Sequence, residues 1–163
     1  MPANFRGFAY YKGHPGVTRK MFATAAPKVY EDAVSYWHDE FLPLHFAEGN
    51  RQRYPGVFPR RTKSHEKRTR GRNHGKNVPL VFTGNLRDEA TRSAEIKGNQ
   101  KGAQAKFRIP RYAYVIYPTG IDMIDEMTVT NDAEADRIAV LIDEKINERI
   151  LEASARVVTK KAV

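Results

Sequence analysis

Ten residues between Arg51 and Lys76 are cations: Arg51, Arg53, Arg60, Arg61, Lys63, Lys67, Arg68, Arg70, Arg72 and Lys76. Only Glu66 offsets them, so the stretch carries +9, while the rest of the chain balances 18 Lys/Arg against 18 acids. Guanidinium and ammonium groups at this density suit phosphate oxygens or an acidic protein surface. Phosphate contacts give salt-dependent affinity and little sequence preference. Residues 60–76 hold no apolar side chain and no aromatic ring, which argues against a base-stacking surface. The nucleic-acid chemistry on offer is therefore non-specific contact with a duplex. A solvated loop, or one docked on an acidic neighbour, fits the same composition.

Other chemistries find less support. The five histidines, His14, His38, His45, His65 and His74, lack the spacing of a zinc helix or finger. His38 beside Asp39 and Glu40 reads as a surface or boundary residue. His74 lies between Asn73 and Asn77, but a metal-dependent nuclease also needs fixed acidic ligands, and nearby there is only Glu66. Asp122, Asp125 and Glu126, like Asp88 and Glu89, fall in turn and helix-start contexts that solvation and capping explain. No glycine-rich phosphate cradle precedes a helix. The chain has no cysteine, which excludes disulfides and thiolate-held zinc. Neither an enzymatic activity nor a cofactor is expected. No apolar run approaches a membrane span, and the first 20 residues lack the apolar core of a signal peptide.

The elements that must position the basic stretch follow from periodicity. With 163 residues, 40% of them hydrophobic, the chain can build one modest core. Residues 1–24 read as an arm whose Phe5, Phe8, Tyr10 and Tyr11 dock on the chain's own domain or on a neighbouring subunit. Residues 25–155 read as the single domain, with 51–77 as its extended basic loop. Thr24 is placed to cap a helix with Pro27 in its first turn. Tyr30, Val34, Trp37, Phe41 and Leu44 mark its buried face, with Trp37 and Phe41 as core anchors. Pro43 is expected to kink or end it, and Gly49-Asn50 to close the region. Val78–Phe82 is a short apolar run. Gly84-Asn85 turns the chain, and Asn85 caps one helical turn over Leu86–Ala90.

A hairpin follows, with alternation over Ala90–Ile96 and Ala103–Ile109 about the turn KGNQKG. YAYVIYP is a further β-rich run. Asn131 and Glu134 form a capping box for a helix of roughly six turns. Its apolar stripe is Ala135, Ile138, Leu141, Ile142, Ile146 and Ile150. Residues 156–163 read as a loose or strand-like tail. The expected fold is α+β: a mainly antiparallel sheet, an early helix, and a long C-terminal helix packed on the sheet.

One short motif, with the order of elements around it, resembles a known family. Pro79-Leu80-Val81-Phe82-Thr83-Gly84-Asn85-Leu86 matches a PL-x-x-TG-x-L turn. An early helix and a basic region precede it, and a hairpin, a Tyr112-Ala113 pair and a last helix follow. Over about residues 30–155 the chain resembles the tail-completion and head–tail connector (neck) proteins of tailed bacteriophages, virion-morphogenesis type. The resemblance implies a structural virion protein, assembled in the host cytoplasm into a ring, commonly hexameric. Such a ring joins the tail to the head-side connector, with viral DNA passing through its lumen. Implied partners are copies of the chain, neighbouring connector and tail-tube proteins, and DNA, with no membrane. Pro79, Leu80, Gly84 and Leu86 would then be structural. The hairpin tip at Lys97, Gly98, Lys101 and Gly102 would project into the lumen or onto the next ring. A free non-specific nucleic-acid-binding protein is the alternative reading, with a nuclease ranked behind it.

Overall fold

A computed structural model describes residues 19–58, 63, 66–68, 78, 80, 84–92, 94–114 and 122–161, with the side chains of the last helix described as far as residue 152. The elements are α1 (Arg19–Tyr36), a π-turn (Trp37–Phe41), α2 (Leu42–His45), α3 (Asn50–Arg53), α4 (Asn85–Ala90), β1 (Ala94–Asn99), β2 (Gly102–Phe107), a 3-10 turn (Arg111–Tyr114), α5 (Met123–Thr128) and α6 (Asp132–Lys161). Among the described residues helix predominates, and strand is confined to β1 and β2. This overturns the sheet-based α+β expectation. The sheet among the described residues is a single hairpin, and α1 takes the central place assigned to it.

Helix α1 is the spine because three layers need it. Ala25, Ala26, Val29, Tyr30, Ala33 and Val34 are all buried. Both α6 and the β1–β2 hairpin pack against it. Alanines at 25, 26 and 33 let these neighbours approach closely. Ile138, Ile142, Ile146 and Ile150 of α6 are buried, and Leu141 is half-buried. Ala135 is exposed, and Glu134 is buried in its place. Lys28, Asp32 and Arg149 tie the two helices at the surface, with Arg149 Nη2 3.0 Å from Asp32 Oδ2.

Helix α1 begins at Arg19, ahead of the expected cap. Thr24 lies inside it and donates its hydroxyl to the Lys20 carbonyl. Pro27 is likewise interior. It removes one helical hydrogen bond, and packing on two flanks outweighs that loss. Beyond Tyr36 one extra residue enters the helix, and the Leu42 N–H bonds back to the Trp37 carbonyl, five residues earlier. This rotates the buried stripe by one position. Leu42 and His45 are buried, whereas Phe41 and Leu44, expected on that face, are half-buried. Trp37 is fully buried as expected. Pro43 lies in the first turn of α2, where it interrupts nothing.

The hairpin holds its predicted turn but has shifted bounds. Ala94 pairs with Phe107 and Asn99 with Gly102. Ala90 belongs to α4, and Ala103, Ala105 and Phe107 lie on the side facing the core. Near the tip one residue is held while its neighbours are exposed. Gly98 lies against α1: a Cβ there would stand 2.1 Å from the Pro27 carbonyl oxygen, and the Gly98 N–H donates to Glu31 Oε1 at 3.0 Å. Lys97 and Lys101 are exposed, and Gly102 is half-buried in the last turn position. Tyr112-Ala113, read as strand, is 3-10 helix, and residues 115–118 of that run lie outside the described residues. Helix α6 runs on to Lys161, through most of the expected tail. The N-terminal arm before residue 19 also lies outside the described residues.

Candidate functional site

The basic stretch enters and leaves through the core. On its entry side Tyr54 and Phe58 are buried, their rings edge to face with centroids 6.1 Å apart. On its exit side Val78 and Leu80 are buried in the same cluster. Eight of the ten cations therefore lie between two buried flanks, and Arg51 and Arg53 precede the first flank in α3.

The entry flank is fixed by a buried polar root built from four helices. Helix α3 starts after Gly49, whose φ of 85° is left-handed and suits glycine. The buried Asn50 donates Nδ2 to the His45 carbonyl at 2.6 Å, which satisfies an open carbonyl at the end of α2. The His45 ring stacks on Tyr54 with centroids 4.1 Å apart. Its Nδ1 lies 3.0 Å from the Glu126 carbonyl of α5. A carbonyl only accepts, so Nδ1 carries the proton in the neutral ring. The Tyr54 hydroxyl donates to Glu134 Oε1 in the first turn of α6. Asn131 caps that helix, its Oδ1 accepting from the Glu134 N–H at 2.9 Å, while its Nδ2 reaches the Arg53 carbonyl at 3.4 Å and Glu134 Oε1 at 3.3 Å. The expected capping box is half realised: the Glu134 carboxylate turns to Tyr54 and the Asn131 side chain.

Burial sets the electrostatics of this root. It lowers the His45 pKa to about 4, with Arg53 adding to the effect and the Glu126 carbonyl opposing it. Burial raises the Glu134 carboxyl, against the pull of Tyr54, Asn131 and Arg53. Burial and the Glu134 contact both raise the Tyr54 phenol. His45 Nε2 and Glu134 Oε2 have no hydrogen-bond partner among the described residues. At neutral pH the ring is uncharged and the phenol protonated, and the root is held by stacking and hydrogen bonds.

Of the predicted cations, Arg51 is half-buried with Nη2 3.8 Å from Glu66 Oε1, which folds the one acid of the stretch back onto α3. Arg53, Lys63, Lys67 and Arg68 are exposed. Lys63 and residues 66–68 are helical, which corrects the reading of the whole stretch as extended. Arg60, Arg61, Arg70, Arg72 and Lys76 lie outside the described residues, as do His65, His74 and Pro79. In the predicted turn, Gly84 takes a φ of 88° and occupies the cap position assigned to Asn85, and Leu86 is buried behind it. Leu80 is also buried.

The root itself was missed. His38, read as a surface or boundary residue, is buried, and so is His45. His38 links the π-turn to α4, with Nδ1 2.9 Å from Asp39 Oδ1 and Nε2 3.0 Å from the Ala90 carbonyl. Asp122 caps α5 through the Ile124 and Asp125 amides, as capping chemistry implied, but Glu126 is buried. Among the described residues no group of three or more His, Asp or Glu side chains is disposed to hold a metal ion. No family model, no curated protein and no solved structure matches the chain.

Proposed function

We propose that the chain is a structural subunit of a phage head–tail joint. In this reading it forms a ring, joins the tail to the head-side connector, and lets viral DNA pass through its lumen, with no reaction of its own. The observation that carries the reading is the division of charge: residues 51–76 bear the chain's entire +9 on an otherwise neutral body, and eight of their ten cations lie between the buried flanks Tyr54–Phe58 and Val78–Leu80. A joint needs a body that packs against like bodies and a cationic element directed at DNA or an acidic partner. The turn residues behind the resemblance fit structural roles, with Gly84 left-handed and Leu80 and Leu86 buried.

The test is the native mass of the full chain across concentration and salt, with duplex DNA binding measured in parallel. The proposal expects a ring, a hexamer first, and weak DNA binding by the isolated subunit. A monomer or dimer that binds duplex DNA tightly, with an affinity that falls steeply as salt rises, would instead identify a free nucleic-acid-binding protein.

A further inference from the structure

Four large apolar or aromatic side chains are exposed among the described residues, and they fall on two surfaces of opposite charge. The first surface is the outer face of α6. Val140 is 46% exposed and Leu151 70%. They are eleven residues apart, a spacing that returns a helix to the same face within about 20° and places them about 16 Å apart along the axis. Exposed Asp136, Asp143, Glu144 and Glu152 surround them. Arg137 is the one exposed cation between Asp136 and Glu152, because Lys145 and Arg149 are half-buried against Glu148 and Asp32.

The second surface runs from the end of β2 into the 3-10 turn. Tyr112 is 43% exposed and Tyr114 39%. Lys106, Arg108 and Arg111 are exposed on the same run, which holds no acid from Lys106 to Tyr114, and the exposed Glu95 lies across the hairpin from Lys106. Helix α1 packs against both α6 and the hairpin, which make no comparable packing with each other. The first surface therefore lies on α6, and the second on the end of the hairpin and the 3-10 turn that packs against α5.

We propose that the anionic face of α6 on one copy docks on the cationic, aromatic surface at Lys106–Tyr114 of the next. This names the subunit contact of the ring proposed above and rests on that reading. Opposite charge steers the encounter and sets its register. Tyr112 and Tyr114 bring large amphipathic rings to Val140 and Leu151, and burying these groups supplies apolar area. The contact joins two different surfaces, so each docked copy offers a fresh one. A rotation per step that closes then makes a ring. A nucleic-acid strand also suits cations beside tyrosines, but it leaves Val140 and Leu151 exposed among carboxylates without a reason. A second copy accounts for both surfaces.

The experiment compares native masses of the wild-type chain, of R108E/R111E, of D143K/E144K, and of the two variants mixed in equal amounts. All four substituted side chains are exposed, so unchanged thermal unfolding controls for the fold. Each variant alone sets like charge against like and is expected to be monomeric. Each surface of one variant complements a surface of the other, so the mixture is expected to regain an alternating multimer. If the wild type forms a ring and both variants form it equally well, the contact is wrong and the ring reading stands. If mixing restores only a closed dimer, the contact stands and the ring reading fails. If the wild type stays monomeric at its highest soluble concentration, the contact is overturned, and the ring reading is then tested separately by adding the tail partner. Loss of DNA binding in R108E/R111E with unchanged mass overturns the contact in favour of a nucleic-acid surface.

Discussion

The α1–α6 interface and the root of the basic stretch are both buried, but they are held by different physics. Between α1 and α6 the contact is apolar: alanines and valines on one helix, four isoleucines on the other. At the root, His45, Asn50, Tyr54 and Glu134 join α2, α3, α5 and α6 through hydrogen bonds. Apolar burial is non-directional and insensitive to pH. A buried polar network fixes geometry and is costly when one member is lost. The body needs strength, whereas the anchor of a cationic segment needs a defined position. The two solutions match these needs.

The comparison can be broken most forcefully on the apolar side. Ile146→Ala empties a fully buried site between the helices and is expected to cost about 2–5 kcal/mol, equally at pH 5 and pH 8. Urea unfolding at both values checks it. A strongly pH-dependent loss would mean that the interface is coupled to titrating groups. The hairpin's side of α1 comes next. Gly98→Ala places a methyl on the Pro27 carbonyl, and rigid backbone on both sides leaves little room to yield. A loss of about 1–3 kcal/mol or more is expected, with the hairpin amides losing protection in hydrogen exchange.

On the polar side, His45 gives the pH signature. Its folded pKa of about 4 lies below the ordinary 6.5, so the unfolded chain takes up a proton first as pH falls. Stability from this group is complete above pH 6.5 and is lost between there and pH 4, by about 3 kcal/mol. Glu134 acts in the opposite sense. Its raised pKa means that the folded chain gains a proton first, which offsets part of the loss as pH falls toward the ordinary carboxyl value. His45→Asn retains a donor for the Glu126 carbonyl and is expected to flatten the descent between pH 6.5 and 4. An unchanged descent in the variant would remove His45 as its source. Tyr54→Phe keeps the stack on His45 but leaves the buried Glu134 carboxylate with only the long Asn131 contact, at a cost of about 1–3 kcal/mol. The smallest effect is at the surface, where Arg149→Ala removes the Asp32 pair and should cost no more than about 1 kcal/mol.

Legibility in the sequence divides along the same line. Helix α6 was readable because its isoleucines recur at helical spacing behind Asn131, and the hairpin because alternation flanks a glycine-bearing turn. The long-range outcome was not readable. Three to four residue spacing placed Phe41 and Leu44 inside, but one inserted residue at the π-turn passed those places to Leu42 and His45. Pro27 looked like a helix start, yet tertiary packing keeps it in the interior of α1. Short alternating runs suggested a sheet that could cover α6, while α1 does so. For the root, residue type misled: His, Tyr and Glu look like surface groups until partners 80 residues away are known. The one local hint was Tyr54, an aromatic residue between Arg53 and Pro55 where a solvated loop has no use for one. The charge division, by contrast, was plain in the sequence, since it needs no fold to be counted.

The central claim is that a neutral body builds the joint and the basic segment meets a polyanion within it. Electron cryomicroscopy of the purified assembly, with and without duplex DNA, tests this most directly. The account predicts a closed ring in which residues 51–77 of every copy face the channel or the joint to the next ring, and in which DNA density contacts that segment. A ring carrying the segment on its outer rim, away from DNA and from any acidic partner, would contradict it.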